Sequence, residues 1–528
     1  MDARTLIAQG GAVLGIEFGS TRIKAVLIDD SFHPIAQGGH EWENQLVEGI
    51  WSYSLQAVWS GLADCYRSLQ RDVERRYGVR IHALKAMGIS AMMHGYLAFD
   101  AQDRLLVPFR TWRNTITRDA AHQLTRLFGY PIPQRWSVAH LYQSMLEGQE
   151  HVGHIAHLRT LASYVHFRLT GRDVAGIDDA SGMFPIDPER GGYDSRMVEK
   201  FDRLVEQAGY GWRIGQLLPT VLRAGENAGA LSKEGALLLD PSGELAPGCP
   251  LCPPEGDAAT GMVATNSCAP RTGNVSAGTS AFAMVVLEKP LSKVYENKID
   301  LVMTPDGRPC AMSHANNCTG EYDQWIRLFG EVEEAMEHKV DKGELYAKLL
   351  PLALKGDSDC GGIIPFNYIS GESMTDVEEG RPLLVRPSQG GFTLANFLRA
   401  ELSTALCALR AGMDILFSQE SVVLDRLTGH GGFFKTPGVG QRLMAAAMKS
   451  PVSVMETAGE GGAWGIALLA AYLDSPLGLQ EFLDKQVFSS GKVTTVVPTS
   501  EEIRGFERFY ERYRRALPLE RQAARFVD

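Results

Sequence analysis

At 528 residues with a formal net charge of −11 and an isoelectric point near 5.7, the chain exceeds one ordinary core and predicts two large lobes. That acidic balance argues against a nucleic-acid surface, which needs a basic patch. No apolar run reaches the about 18 residues of a membrane span, and residues 1–11 lack the charged-then-apolar profile of a signal peptide, so no membrane partner is expected and the cytoplasm is the expected location.

Alternating apolar strands and helix-period segments predict a mixed α/β chain. The first informative element is Leu14-Gly15-Ile16-Glu17-Phe18-Gly19-Ser20-Thr21 followed by the apolar Ala25-Val26-Leu27-Ile28, which reads as a β-hairpin with a Gly/Ser/Thr tip. An ordinary tight turn has the same composition. Glu17 sits on an otherwise apolar strand, where a carboxylate is costly to bury without hydrogen bonds or a metal; beside a nucleotide it would hold Mg²⁺ through water.

Met93-His94-Gly95 follows an apolar run, a setting in which a lone histidine is more often a satisfied core residue than a binding one. Helical spacing points His151, His154 and His157 apart, so a three-histidine site is not expected there. Cys249 and Cys252 form a lone CxxC with no second pair nearby, a weak metal signal, and the other six cysteines are scattered like reduced thiols. Just beyond, Asp257 stands among small residues where a substrate could approach the backbone, or serves as the cap of a helix starting at Ala258.

A second hairpin, Gly273-Asn274-Val275-Ser276-Ala277-Gly278-Thr279-Ser280 running into Ala281-Phe282-Ala283-Met284-Val285-Val286-Leu287, repeats the pattern of the first. Two such tips would grip one polyphosphate from opposite sides. Leu398, Leu402, Ala405, Leu406, Leu409, Met413 and Leu416 predict one buried helix over 392–417. Gly-rich strand-to-helix turns at Gly429-His430-Gly431-Gly432-Phe433 and Gly459-Glu460-Gly461-Gly462 suit a flat ring lying against backbone. Neither has dinucleotide-site spacing, and Gly491-Lys492 lacks the rest of a Walker loop. The tail from Ser500 reads as a solvated helix packed on the body.

Taken in order, these segments resemble the FGGY carbohydrate kinases, a branch of the superfamily that also holds actin, hexokinase and the heat-shock chaperone ATPases. The resemblance spans nearly the whole chain: the first hairpin, Gly88-Ile89-Ser90-Ala91-Met92-Met93-His94-Gly95, Asp179-Ala180-Ser181-Gly182, Gly256-Asp257, the second hairpin, Pro365-Phe366-Asn367-Tyr368-Ile369-Ser370-Gly371-Glu372 and Gly431-Gly432. It implies a two-lobed α/β, ribonuclease H-like ATPase fold with its active site in the inter-lobe cleft. The N-terminal domain, 1–265, would carry the sugar and metal side, and the C-terminal domain, 266–528, the adenine side, ending in a helix from about 500.

By the same resemblance the protein phosphorylates a sugar hydroxyl with ATP and Mg²⁺. Asp257 matches the general base and also meets the acceptor. Gly19, Ser20, Thr21 and Lys24 match the hairpin on the β- and γ-phosphates, Gly278 and Thr279 match the opposing one, and Gly431, Gly432 and Phe433 match the adenine-side turn. Glu17 stands where the family usually has Asp, near the metal, and Thr436 where Asn or Ser is frequent. Met93, His94 and Gly95 look like the xylulokinase substrate motif; Trp112, Arg113 and Asn114 fall where related kinases carry a Trp and polar sugar contacts, with Asn114 in place of the usual Asp. The wider wording, including Trp42-Glu43-Asn44-Gln45, looks most like L-ribulokinases of the Gram-positive type, so L-ribulose is the expected acceptor and D-xylulose the next, both at O5. A glycerol or hexose kinase uses the same cleft, and a nucleotide-dependent switch would keep it without a sugar. Expected partners are thus a small sugar and ATP, with a homodimer left open.

Overall fold

The computed structural model describes residues 1–455, 461–489 and 493–526. It divides into two compact units: Met1–Cys268 with Leu301–Cys310 and Glu460–Ser490, and Ala269–Asp300 with Ala311–Gly459 and Gly491–Asp528. The first crossing thus falls three residues beyond the expected boundary at 265, and the chain returns twice to the first unit afterwards. Gly459-Glu460 and Gly491-Lys492, singled out in the sequence, lie outside the described residues.

The first unit is built on a five-stranded sheet. Strands β1 (Val13–Phe18), β2 (Arg22–Ile28) and β3 (Pro34–Glu41) are antiparallel neighbours, while β4 (Ala86–Ala91) and β5 (Glu255–Gly256) run parallel to β1 on its other side. Leu14, Ile16, Phe18, Ile23, Ala25 and Leu27 are buried in one cluster with the apolar residues of helix α1 (Leu55–Tyr77). Each such Leu, Ile or Phe contributes about 1.5–3 kcal/mol of burial. Ser54 caps α1 by accepting the Ala57 N–H, and Gly78 ends it in the left-handed conformation. A second cluster, centred on Trp136, Phe184 and Phe201, belongs to the inserted helices of the same unit. After β5 the chain turns directly into α2 (Asp257–Ala264).

In the second unit, β6 (Thr272–Ala277) and β7 (Ala281–Val286) form the second hairpin, and helix α3 (Gly320–Ala335) begins beside its tip. The run at 392–417 is not one helix: it divides into α4 (Leu394–Thr404) and α5 (Cys407–Asp414). Between them the Leu406 N–H bonds back three residues to Ser403, which tightens the turn, while the Thr404 hydroxyl is drawn out to the Pro365 carbonyl. Strand β8 (Arg426–His430) runs parallel to β6, β9 (Val452–Met455) parallel to β8, and β10 (Val493–Val496) antiparallel to β9. Helix α6 (Gly461–Tyr472) belongs to the first unit, and α7 (Ser500–Phe526) closes the second. No described helix is long and apolar enough to cross a membrane.

Candidate active site

Sheet register in the first unit gathers a set of carboxyl groups. Glu17 on β1 lies opposite Lys24 on β2 and Ser90 on β4, and Ser90 in turn lies opposite Glu255 on β5. Two residues after Glu255 the chain enters α2 at Asp257, whose Oδ1 accepts the Met93 N–H at 3.2 Å. Burial pushes the Asp257 carboxyl up to about 6.

The Glu17 carboxylate is received at the start of α6, where Ala463 N–H donates to Oε2 at 3.2 Å. A Cβ on Gly462 would stand 2.5 Å from Glu17 Oε1 and 2.7 Å from Thr260 Oγ1, so only glycine admits the carboxylate there. Burial, and then the charge of Asp257, push Glu17 up to about 7. Thr260 fixes the floor of this corner, its hydroxyl 3.0 Å from that of Ser90.

Three further carboxyls stand behind Asp257. Asp178 and Asp179 are fully buried in a short helical turn, Ile177–Ser181, and Glu255 is buried beside them. Asp179 N–H donates to Glu255 Oε2 at 3.2 Å, and the Thr160 hydroxyl donates to Asp179 Oδ2. The Asp178 carboxyl faces the backbone N–H groups of Gly256 and Ala259 at the start of α2. Burial raises Asp179 to about 7; burial and mutual repulsion hold Asp178 and Glu255 well above the usual carboxylate range.

His94 takes a left-handed backbone, φ 70°, as does Gly95 at φ 98°. Its ring is buried, stacked at 6.5 Å on Trp136, and lies against Gly182, where a Cβ would come within 2.6 Å of Nδ1. Burial, and then the charge of Arg135, keep this imidazole neutral. A residue held in such backbone geometry commonly marks a site where the strain serves function.

The remaining acceptor-side residues divide. The Trp112 ring is 38% exposed and its indole N–H donates to Ser20 Oγ at 3.3 Å. Arg113 is exposed, with its guanidinium 3.9 Å over the Trp51 ring. Asn114 is buried and bonded to the Trp51 N–H and carbonyl and to the Thr111 carbonyl, each at 2.9 Å, so its side chain holds the loop. Among the histidines and cysteines set aside in the sequence, His151 bonds the Tyr96 hydroxyl at 2.8 Å, and all eight cysteines are free and buried.

In the second unit the tip of the second hairpin is open: nothing lies within 4 Å of a Cβ on Gly278. Gly431 (φ 99°) crosses that hairpin so closely that a Cβ would be 2.5 Å from the Ala277 carbonyl oxygen, which puts the Gly431-Gly432 turn beside Gly278 and Thr279. Gly432 is open, whereas the Phe433 ring is buried against Phe434 and Tyr322.

Sequence reasoning missed Asp178, Glu255, Thr260 and the α6 amides. Adjacent acids in a turn of small residues, and an acid two positions before Asp257, were the available signals.

Profiles of the FGGY family of carbohydrate kinases match this chain twice, the N-terminal domain over residues 12–241 and the C-terminal domain over 273–473. The chain belongs to that family. A xylulose kinase of Haemophilus influenzae is 21% identical over 516 residues, 95% of this chain and 98% of the relative. Among solved structures, a ligand-bound xylulose kinase of Lactobacillus acidophilus superimposes with a TM-score of 0.77 at 16% identity, covering 97% of this chain and 99% of that one. A gluconate kinase of the same organism gives 0.78 at 17%, covering 98% and 99%. This FGGY kinase therefore has the two-domain actin/hexokinase-like ATPase fold and is a phosphotransferase acting on sugar hydroxyl groups, with ATP the donor its family implies.

Proposed function

We propose that this kinase phosphorylates the terminal hydroxyl of a ketopentose, with D-xylulose the first candidate and L-ribulose the second. The order reverses the one expected from the wording of the sequence, because full-length relatives carrying the name xylulose kinase support the alternative. The observation that carries the acceptor reading is Asp257 itself: a partly buried carboxylate, fixed by the N–H of Met93, whose neighbour in the chain is the buried neutral His94.

Asp257 accepts the proton of the sugar hydroxyl as the oxygen–phosphorus bond forms and the bond between the γ-phosphorus and the β,γ-bridging oxygen breaks, releasing ADP. Most of the rate comes from alignment and charge neutralisation rather than from the base. His94, uncharged and able to donate or accept, reads an acceptor hydroxyl, and Trp112 offers an apolar wall.

A divalent cation suits the acidic corner. Mg²⁺ is usually held by one or two carboxylates, waters and substrate phosphates, and Glu17 and Asp257 supply carboxylates close enough for one charge to shift the other. Among the described residues no three His, Cys, Asp or Glu side chains form a complete metal cage, so the cation would come with the nucleotide. It would neutralise phosphate charge, with Glu17 reaching it through water.

ADP release against a panel of D-xylulose, L-ribulose, other ketopentoses, gluconate, glycerol and aldohexoses tests the reading. Highest kcat/KM is expected for D-xylulose, then L-ribulose. A tenfold preference for gluconate, glycerol or an aldohexose would refute the pentulose assignment. Turnover that ignores every acceptor while nucleotide still binds would favour a switch.

A further inference from the structure

Three consecutive backbone carbonyls at the tip of the first hairpin are tied to aromatic residues that the kinase reading leaves without a role. The Gly19 carbonyl accepts the Trp42 indole N–H at 2.8 Å, the Ser20 carbonyl accepts the Tyr53 hydroxyl at 2.5 Å, and the Thr21 carbonyl accepts the Trp42 backbone N–H at 3.1 Å. Trp42 and Tyr53 are both buried, and their rings stack with centroids 4.2 Å and planes 26° apart. Burial pushes the Tyr53 phenol up to about 12, so it remains a donor throughout the working pH range.

In a trans peptide the C=O and the following N–H point in opposite directions. Anchoring the Gly19 and Ser20 carbonyls on Trp42 and Tyr53 therefore aims the Ser20 and Thr21 N–H groups away from those rings. Among the described residues neither amide donates within the chain. Two such amides on a tight turn make an anion-facing concavity. The second hairpin carries the same device in another form: the Gly278 and Thr279 carbonyls accept the N–H groups of Thr319 and Cys318 at 3.0 and 2.9 Å.

The scaffold also reaches the acceptor loop. Trp51, two residues before Tyr53, holds Thr111 and Asn114 through backbone and side-chain hydrogen bonds, and Trp112 from that loop donates to Ser20 Oγ. Resting on the kinase reading of the hairpin, we propose that Trp42 and Tyr53 are positioning residues that turn the Ser20 and Thr21 amides toward the nucleotide phosphates, and that Trp112 ties the same tip to the acceptor loop.

Tyr53→Phe keeps the ring and its stack and removes one hydroxyl; Trp42→Phe keeps an aromatic ring and removes the indole N–H. Each is expected to lower kcat/KM for ATP about fivefold to tenfold, the usual consequence of one lost hydrogen bond to a positioned group, with acceptor KM held within about twofold. Trp112→Phe is expected to raise the ATP KM in the presence of acceptor more than in the slow hydrolysis without it. Calorimetric titration of Mg·ATP into the wild-type enzyme comes first, since absence of binding would overturn the phosphate role of the hairpin itself. Given wild-type binding, unchanged ATP kcat and KM in both Tyr53→Phe and Trp42→Phe overturn the positioning role. Equal losses in ATP and acceptor parameters, marking general damage, overturn it as well.

Discussion

Gly462→Ala tests how Glu17 is held. An added Cβ would lie 2.5 Å from Glu17 Oε1 and 2.7 Å from Thr260 Oγ1, both below any real carbon–oxygen contact, so the carboxylate must leave its place at the start of α6. The Ala463 N–H bond to Glu17 Oε2 goes with it. A hydrogen bond to a charged group is worth about 1.5–3 kcal/mol, which corresponds to roughly 10- to 100-fold in kcat/KM for Mg·ATP if Glu17 acts in that step. The same clash acts on folding: added bulk at a buried position typically costs about 1–3 kcal/mol, and Gly462 lies in the first turn of α6, where helix propensity offsets little of it, so Tm should fall modestly. Loss of activity at a temperature where the variant is still fully folded isolates the contact from folding. Coupled ADP release, titrated with MgCl₂ at saturating sugar, is the assay, and the half-saturating Mg²⁺ concentration should rise. Adding Glu17→Asp to Gly462→Ala shortens the acid by one methylene and makes room for the new methyl, so the double variant should recover part of the lost activity. A folded Gly462→Ala enzyme with wild-type kcat and Mg²⁺ requirement would refute this account of the corner.

Asp257→Asn should leave Mg·ATP affinity within a few-fold while lowering turnover by roughly two to four decades, and near-normal turnover would remove Asp257 as the base. With the Asp257 carboxyl raised to about 6, kcat/KM for the sugar should climb as pH passes through about 6 and then level; a profile already flat from pH 5 would count against it. Glu17 is raised from about 4.5 to about 7, so the native state holds a proton that the unfolded chain has lost between those values; this stabilises at low pH and is lost as pH rises through 7. Tm of Glu17→Gln relative to wild type should accordingly increase between pH 5 and pH 8, and a constant difference would contradict the shift. His94→Ala should cut kcat/KM for the ketopentose while sparing the slow ATP hydrolysis seen without sugar, and equal loss of both would make His94 structural.

Both hairpins were legible in the sequence, because a strand running into Gly, Ser or Thr and then a second apolar strand leaves few other local solutions. A helix was legible after Gly256 too, but it starts one residue before the expected Ala258, so Asp257 is its first residue and Gly256, not Asp257, stands at the cap. The break between α4 and α5 was not legible. It lies where the Leu406 N–H bonds back three residues to Ser403, a local tightening of the backbone, and apolar periodicity continues unbroken across it. Trp112, Arg113 and Asn114 show the same limit in the candidate site. Their spacing resembles a run of sugar contacts, yet Asn114 bonds backbone and Arg113 stacks on Trp51, since what a side chain meets is set here by a residue far earlier in the chain. Local pattern fixed the position of Glu17 on its strand but carried no sign that α6, more than four hundred residues later, would supply its hydrogen bond.

The gathering of acids explains why Asp257, and none of its neighbours, suits the role of base. A base must be ionised near neutral pH and open to the acceptor. Asp178 and Glu255 fail on both counts: they are fully buried, and burial with mutual repulsion favours their protonated forms. Asp179 is buried too, receives the Thr160 hydroxyl, and is raised to about 7. Asp257 is only partly buried, starts a helix whose terminal dipole favours an anion, accepts a backbone N–H, and is raised to about 6 where Asp179 and Glu17 are raised to about 7. Asp178 and Glu255, held in their protonated forms behind it, fill the site without adding charge, so Asp257 ionises before Asp179 or Glu17 does and would meet an acceptor in a region of low polarity, where its pull on a hydroxyl proton is strongest. Replacing Asp178 with Asn should preserve that arrangement, because an uncharged group of the same shape stands in for an uncharged acid. Asp178→Asn is therefore expected to keep turnover within about threefold of wild type. A loss as deep as that of Asp257→Asn would mean that the proton passes to Asp178, and that Asp178 rather than Asp257 is the acid that ionises.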